Sequence, residues 1–216
     1  MATRKPLIVN PTASQIQELP NGDSLDGITN ITTTGSITTT VPSGRTPIVS
    51  NTPSFRAQLS ADQSLANETR TVVAFGAEDF DSDGCYNNTG STVTLNGISV
   101  PAYSFAPNVA GFYYVFASTS IECSADHIKF ARIQICKNGG DNIMAACMSG
   151  LDAENPSTTV VSREMTQTVS MIIEMNGTSD SITIFTDATR GSGNSSTLKL
   201  NDTTVRNYVQ AYKLIM

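Results

Sequence analysis

Between Tyr103 and Ala117 the chain reads YSFAPNVAGFYYVFA, and the run Gly111-Phe112-Tyr113-Tyr114-Val115-Phe116 narrows its fold more than any other stretch. Aromatic and β-branched residues crowd against the helix geometry but pack well on a pleated surface, and Pro107 and Gly111 stand where an entering turn needs them. The run reads as a buried central strand.

Around it, short apolar or alternating runs separated by turn residues recur from Pro53 to the C-terminus. They predict strands at Phe55–Leu59, Thr71–Phe75, Thr92–Leu95, Ile98–Val100, Gly111–Ser118, His127–Lys137, Asn142–Met148, Thr158–Ser162, Thr168–Met175, Ser181–Thr186, Ser196–Leu200 and Tyr208–Ile215. Asn96-Gly97 between Val93-Thr94-Leu95 and Ile98-Ser99-Val100 is a two-residue hairpin signal, because both positions tolerate positive φ. Val169, Met171, Ile173 and Met175 alternate with polar neighbours, which gives that strand one core face and one wetted face. No long run has helical period. The expected class is all-β.

The chain has 216 residues, room for one substantial domain and an appendage. Its formal charge of −6 lies in the globular part: residues 1–50 hold three basic and three acidic side chains, residues 51–216 ten and sixteen. With no basic patch to neutralise phosphates, nucleic acid is not an expected partner. No stretch is long and apolar enough to predict membrane insertion, and the N-terminus MATRKPLIVN has no apolar signal region, which predicts synthesis as a soluble cytoplasmic product. Cys136 and Cys147 fall in apolar runs and read as buried thiols; Cys85 and Cys123 fall in loop-like segments and could pair.

Residues 1–52 differ in kind. An extended run punctuated by Pro6 and Pro11 leads to the short amphipathic patch Ile16-Gln17-Glu18-Leu19 and a turn at Pro20-Asn21-Gly22-Asp23. Residues 28–50 are nearly free of charge and space Ile28, Ile31, Ile37 and Val41 among Thr and Ser. That pattern suits extended strands buried by a partner, and equally a low-complexity linker. Pro42, Gly44, Pro47 and Pro53 mark a boundary, giving an arm over 1–52 and a domain over 53–216.

The order of signals from Pro53 onward resembles the TNF-like jelly roll and, more closely, the trimeric globular heads of complement-type collagen-tailed proteins. The matching stretches are Phe55-Arg56-Ala57, Val73-Ala74-Phe75, Phe105-Ala106-Pro107 followed by Gly111-Phe112-Tyr113-Tyr114-Val115-Phe116, Lys137-Asn138-Gly139, Ile173 to Ile182, and Tyr208 to Ile215. An extra hairpin over 91–102 departs from the family pattern. No collagen repeat precedes the domain, so the collagen-linked immune function does not carry over. The resemblance implies an all-β TNF-like jelly-roll sandwich, homotrimeric, with Phe112, Tyr114, Phe116, Tyr208 and Tyr212 in core or trimer interface. Read without it, the same aromatics would also suit a carbohydrate platform. The N-terminal arm, with Leu19-Pro20-Asn21-Gly22-Asp23-Ser24-Leu25 ahead of its Thr/Gly-rich stretch, resembles leaders of structural proteins from tailed, cyanophage-like bacteriophages. That implies virion attachment through Ile16, Leu19, Leu25, Ile28 and Ile31.

Two local constellations are candidates for chemistry. Asp79-Phe80-Asp81-Ser82-Asp83-Gly84 places carboxylates at alternate positions before a glycine, like the first half of a calcium loop, with Asn87, Asn88 or a carbonyl to complete the shell. No bidentate acid closes the loop at Gly90, and an acidic solvated loop gives the same string. His127, the only histidine, lies in no nucleophile-elbow context, so no catalytic relay is expected.

The expectation is a non-enzymatic, homotrimeric capsid decoration or cement protein on the virion surface of a tailed phage, with a major capsid or other virion protein held by the arm. The alternative is a short tail or head fibre whose jelly-roll tip binds a host-surface glycan or protein through loops distal from the arm, such as 79–90 or 187–197.

Overall fold

The computed structural model describes residues 7–10, 15–18, 51–124, 127–150, 162–191, 196–202 and 206–215. The chain divides into two compact units at Ile48/Val49, inside the Pro-rich stretch. In the first, β1 (Leu7–Asn10) and β2 (Gln15–Glu18) pair antiparallel, with Val9 opposite Ile16. The expected attachment residues Leu19, Leu25, Ile28 and Ile31, and the Thr-rich stretch, lie outside the described residues.

The second unit runs β3 (Ser54–Gln58), β4 (Gln63–Leu65), β5 (Thr71–Val72), β6 (Ala77–Asp81), β7 (Val93–Leu95), β8 (Ile98–Val100), β9 (Ser104–Phe105), β10 (Gly111–Cys123), β11 (Ile128–Lys137), β12 (Ile143–Gly150), β13 (Glu164–Met175), β14 (Ile182–Arg190), β15 (Leu198–Leu200) and β16 (Tyr208–Lys213). All elements among the described residues are strands. They form an all-β jelly-roll sandwich of two antiparallel sheets.

In the larger sheet β10 is the axis: β13 covers one edge along twelve residues, and β16 and β15 share the other. The order β4-β15-β10-β16-β3-β6 then places the first long strand beside the last. The smaller sheet is ordered β12-β11-β14-β5, with β9 also on β14. β7 and β8 form the hairpin read from Asn96-Gly97, with φ of 50° and 79° at those residues, and Ile98, Val100 and Ala106 make a small core of their own under it.

The main core lies between the sheets. Residues of odd number on β10 and β13 point inward, so Tyr113, Val115, Ala117 and Ile121 meet Met165, Val169, Ile173 and Met175. At one end of the sandwich Phe55 stacks on Tyr86 and Phe105, with centroids 4.4 and 4.6 Å apart, and Phe105 meets Tyr113 edge to face at 5.7 Å. The two phenol hydroxyls of this cluster are satisfied: Tyr86 donates to the Phe75 carbonyl and Tyr113 to the Val109 carbonyl. Burial pushes both phenols far up from their ordinary pKa. Gly177 shows why one turn must be glycine. Its φ is +71°, and a Cβ there would lie 2.4 Å from the Ala110 nitrogen.

Several expectations change. The strand expected over Thr71–Phe75 stops at Val72, after which the chain turns inward to bury Val73 and Phe75 completely. β4 and β6 were not signalled, because strands at a sheet edge keep polar residues on exposed faces and show no apolar alternation. β10 continues five residues past Ser118, through Thr119 and Ser120, polar residues whose burial sequence alone does not reveal. Of the strand expected over Thr158–Ser162, residues 158–161 lie outside the described residues and Ser162 is not in a strand. The thiols of Cys85, Cys123, Cys136 and Cys147 are all free, so Cys85 and Cys123 do not pair; the first three are buried and Cys147 is half-buried. Burial pushes the Cys85 thiol up, and pushes the Cys136 thiol up despite the Arg70 guanidinium beside it.

Candidate interaction face

Strand parity turns Phe112, Tyr114 and Phe116 away from the core that takes Tyr113 and Val115. Cross-strand register then collects the outward residues of neighbouring strands beside them. Tyr114 lies opposite Tyr212 on β16 and Ile172 on β13. Its ring centroid is 5.5 Å from that of Tyr212, and Phe116 stacks on Tyr208 at 5.4 Å. Phe80, opposite Arg56, extends the apolar surface to the β6 edge. Ile172 and Phe80 are 54% and 51% exposed, large fractions for such side chains on an ordered sheet.

All five aromatics expected in core or interface therefore share this outer face, and none lies in the core. Tyr113, between two of them, is the fully buried ring. Sequence reading did not single out Ile172, Phe80 or Arg56. The Ile172 position follows from continuing the β13 alternation to its outer face, but Phe80 stood in a string read as a loop.

Among the described residues one cation, Arg56, belongs to the aromatic part of the face. The Arg56 guanidinium carbon sits 5.0 Å above the Tyr208 ring and its Nε is 3.2 Å from an Asp79 oxygen. Toward the far end the face becomes polar: the Ser120 hydroxyl donates to Glu164 at 2.6 Å, and Arg206 pairs with the same carboxylate. The Ser120 hydrogen bond, then that of Arg206, hold the Glu164 carboxyl below its ordinary pKa.

The acidic string 79–84 is not a loop around a common point. Asp79 and Asp81 belong to β6, and Asp79 faces Arg56 and Gln58 on the outer face. Asp81 turns the other way and accepts the backbone N–H groups of Asp83 and Tyr86, while Asp83 accepts the Ser82 hydroxyl. Pairing with β3 pulls the first carboxylate onto the sheet and closes the turn with the second. Among the described residues no three His, Cys, Asp or Glu side chains are grouped to hold a metal ion. His127 directly precedes β11 and its carbonyl accepts the Gly191 N–H.

The string also lies at the end where the domain's chain begins. Ser82 N–H donates to the Ser54 carbonyl, Ser54 N–H donates to the Ser82 hydroxyl, and Lys213 N–H donates to the carbonyls of Asn51 and Pro53. The acidic string therefore lies beside the start of the domain, whereas Asp187 to Arg190 pair with the start of β11.

A second apolar surface lies on β12, IMAACMSG, which carries no charge and among the described residues pairs with β11 alone. Ile143 and Met148 are exposed there. Sheet edges are ordinarily protected by charge, proline or a cover.

No protein-family model and no curated protein matches the sequence. Among solved structures the chain is similar to murine APRIL at pH 5.0, with 11% identity and a TM-score of 0.48 over 74% of this chain and 98% of that one. It is also similar to Eiger TNF from S. frugiperda, with 10% identity and a TM-score of 0.43 over 75% and 90% of the two chains.

Proposed function

We propose that the chain is a non-enzymatic virion structural protein of a tailed bacteriophage: a homotrimer that decorates or cements the capsid surface through its N-terminal arm. The observation that carries the self-association is the aromatic outer face of the larger sheet. Exposed apolar surface of this extent on an ordered sheet marks an interface, and aromatics with one arginine are the side chains enriched at such contacts. The uncharged β12 edge supplies a different apolar surface on the same chain. A contact between two unlike surfaces is heterologous, and it gives a closed ring when the rotation closes. The number three comes from the sequence resemblance of residues 53–216.

The virion setting is supported by the leader resemblance of residues 1–52. The entry of the chain at Asn51 beside the end of β16 supports the arm geometry, since three such domains related by a rotation axis would start from one end of the assembly. Three weak arms acting together bind far more tightly than one, through effective concentration.

The test is capsid binding by the full-length protein and by a variant beginning at Pro53, with the mass of each measured in solution. Decoration requires that both be trimers and that only the full-length protein bind purified phage capsids. A Pro53 variant that binds host cells would replace it with the fibre reading. Monomers in both would remove the interface argument.

A further inference from the structure

Along the inward faces of β10 and β13 the side chains are apolar except at one level. Thr119 is fully buried and Gln167 is 1% exposed, and the two are register partners. Thr119 Oγ1, Gln167 Oε1 and Gln167 Nε2 have no hydrogen-bond partner. Their inward neighbours on the same strands, Ala117, Ile121, Met165 and Val169, offer none. Native interiors leave few buried polar atoms unsatisfied. A buried water typically makes about three hydrogen bonds to such atoms, and one hydroxyl, one carbonyl oxygen and one amide nitrogen match its mixed donor and acceptor capacity. On the facing sheet, toward the end where β10 finishes and β11 begins, the paired residues Ala131 and Ala188 are both fully buried and offer no side-chain polar group.

We propose that Thr119 and Gln167 clasp one buried water and that this polar pair locks the register of β13 on β10. Alternation in β13 protects only against slips of one residue, which would turn its apolar face to solvent. A slip of two keeps every apolar side chain inside and is invisible to the alternating pattern. It would set Gln167 opposite Ala117 or Ile121 and Thr119 opposite Val169 or Met165, stranding both polar groups among apolar ones. Among the described residues β13 pairs with β10 alone, and no second strand there enforces its register. A single buried polar position is known to select register where hydrophobic packing does not, as in coiled coils. The same slip would carry Ile172 from Tyr114 to Phe112 or Phe116, so the lock also sets the pattern of the outer face.

A crystal structure of the full chain at a resolution that shows ordered water tests the first half. One water within hydrogen-bonding distance of Thr119 Oγ1 and a Gln167 amide atom is expected; a dry site, or a Gln167 amide bonded to protein groups, overturns the proposal. Cross-strand NOE contacts test the second half. In the wild type, Val115 should contact Met171 in a single set, and in the Thr119→Val, Gln167→Leu double variant a second set from Val115 to Val169 or Ile173 is expected. A single native set in the double variant overturns the lock. Thr119→Ser keeps the hydroxyl and is expected to keep both the water and the single register; loss of either also counts against it.

Discussion

The two sheets of the sandwich turn different surfaces outward. On the smaller sheet, Arg132 forms a bidentate pair with Asp187 at 2.8 and 3.1 Å. Arg70 lies 4.2 Å above the Phe185 ring, donates to Gln134 at 2.6 Å and meets the Cys136 sulfur at 2.8 Å. Gln134 and Cys136 are buried beneath it. Over β11 and β14 that face is closed by its own chain, while Met148 on β12, opposite Arg132, stays exposed. On the larger sheet the corresponding position is held by Phe112, Tyr114, Phe116, Tyr208 and Tyr212, which touch one another but leave Ile172 and Phe80 largely exposed. Both faces carry an arginine over an aromatic ring. The closed face surrounds its arginines with acceptors from several strands, whereas the open face gives Arg56 a carboxylate at its margin and leaves the centre apolar. The surface over β11 and β14 is satisfied by contacts within the chain, and the outer face of the larger sheet leaves apolar side chains exposed.

Substitutions separate the two faces by what they damage. Asp187→Ala should have the largest effect on folding stability, about 2–3 kcal/mol in denaturant unfolding. It strands the Arg132 guanidinium, and the figure lies below that for a fully buried pair because Arg132 keeps 30% of its side chain in solvent. Arg70→Ala should cost about 1–2 kcal/mol, since Gln134 loses its partner and the Phe185 face its cover. Its Cys136 thiol should also react with a thiol reagent that leaves the wild type unmodified. On the open face, Tyr114→Ala with Phe116→Ala should lower stability of the monomer by no more than about 1 kcal/mol, the loss of half-exposed ring contacts. Light scattering should nevertheless show the assembled mass fall to that of one chain. An unchanged mass would place the interface elsewhere.

The smallest effect concerns the polar end of the open face. The carboxyl of Glu164 is held below its ordinary value of 4.5 by Ser120 and then Arg206. A carboxyl lowered on folding stabilises fully above its unfolded pKa, and that contribution is lost as the pH falls through the lower folded value. Glu164→Gln should therefore flatten the acid limb of the stability profile below about pH 4.5, by a modest amount because the group is largely solvated. An identical acid limb would mean that the Ser120–Glu164–Arg206 contact contributes nothing to folding.

The legible parts of the fold share a cause. The β7–β8 hairpin was readable because Asn96-Gly97 encodes its turn in two adjacent residues, and β13 because its alternation runs for most of its length. β6 was hidden in AEDFD, since an edge strand wetted on its exposed positions has no reason to alternate. The acidic string looked like a cation loop because spacing alone cannot show that Asp79 leaves for Arg56 while Asp81 stays to close the turn. The aromatic residues of the interaction face were named from sequence, but Phe80 and Arg56 were not. They reach the face through register with β3 and β16, which lie far apart along the chain.

By itself the sequence determined the all-β class, the central strand at Gly111, the hairpin turn and the existence of an aromatic set, because each depends on local sterics or on a period of two. Only the tertiary structure decided which aromatics point outward together, where the carboxylates go, that the cysteines stay apart and that Thr119 meets Gln167. Each of those depends on register between strands distant in sequence, and alternation constrains register only to within an even number of residues.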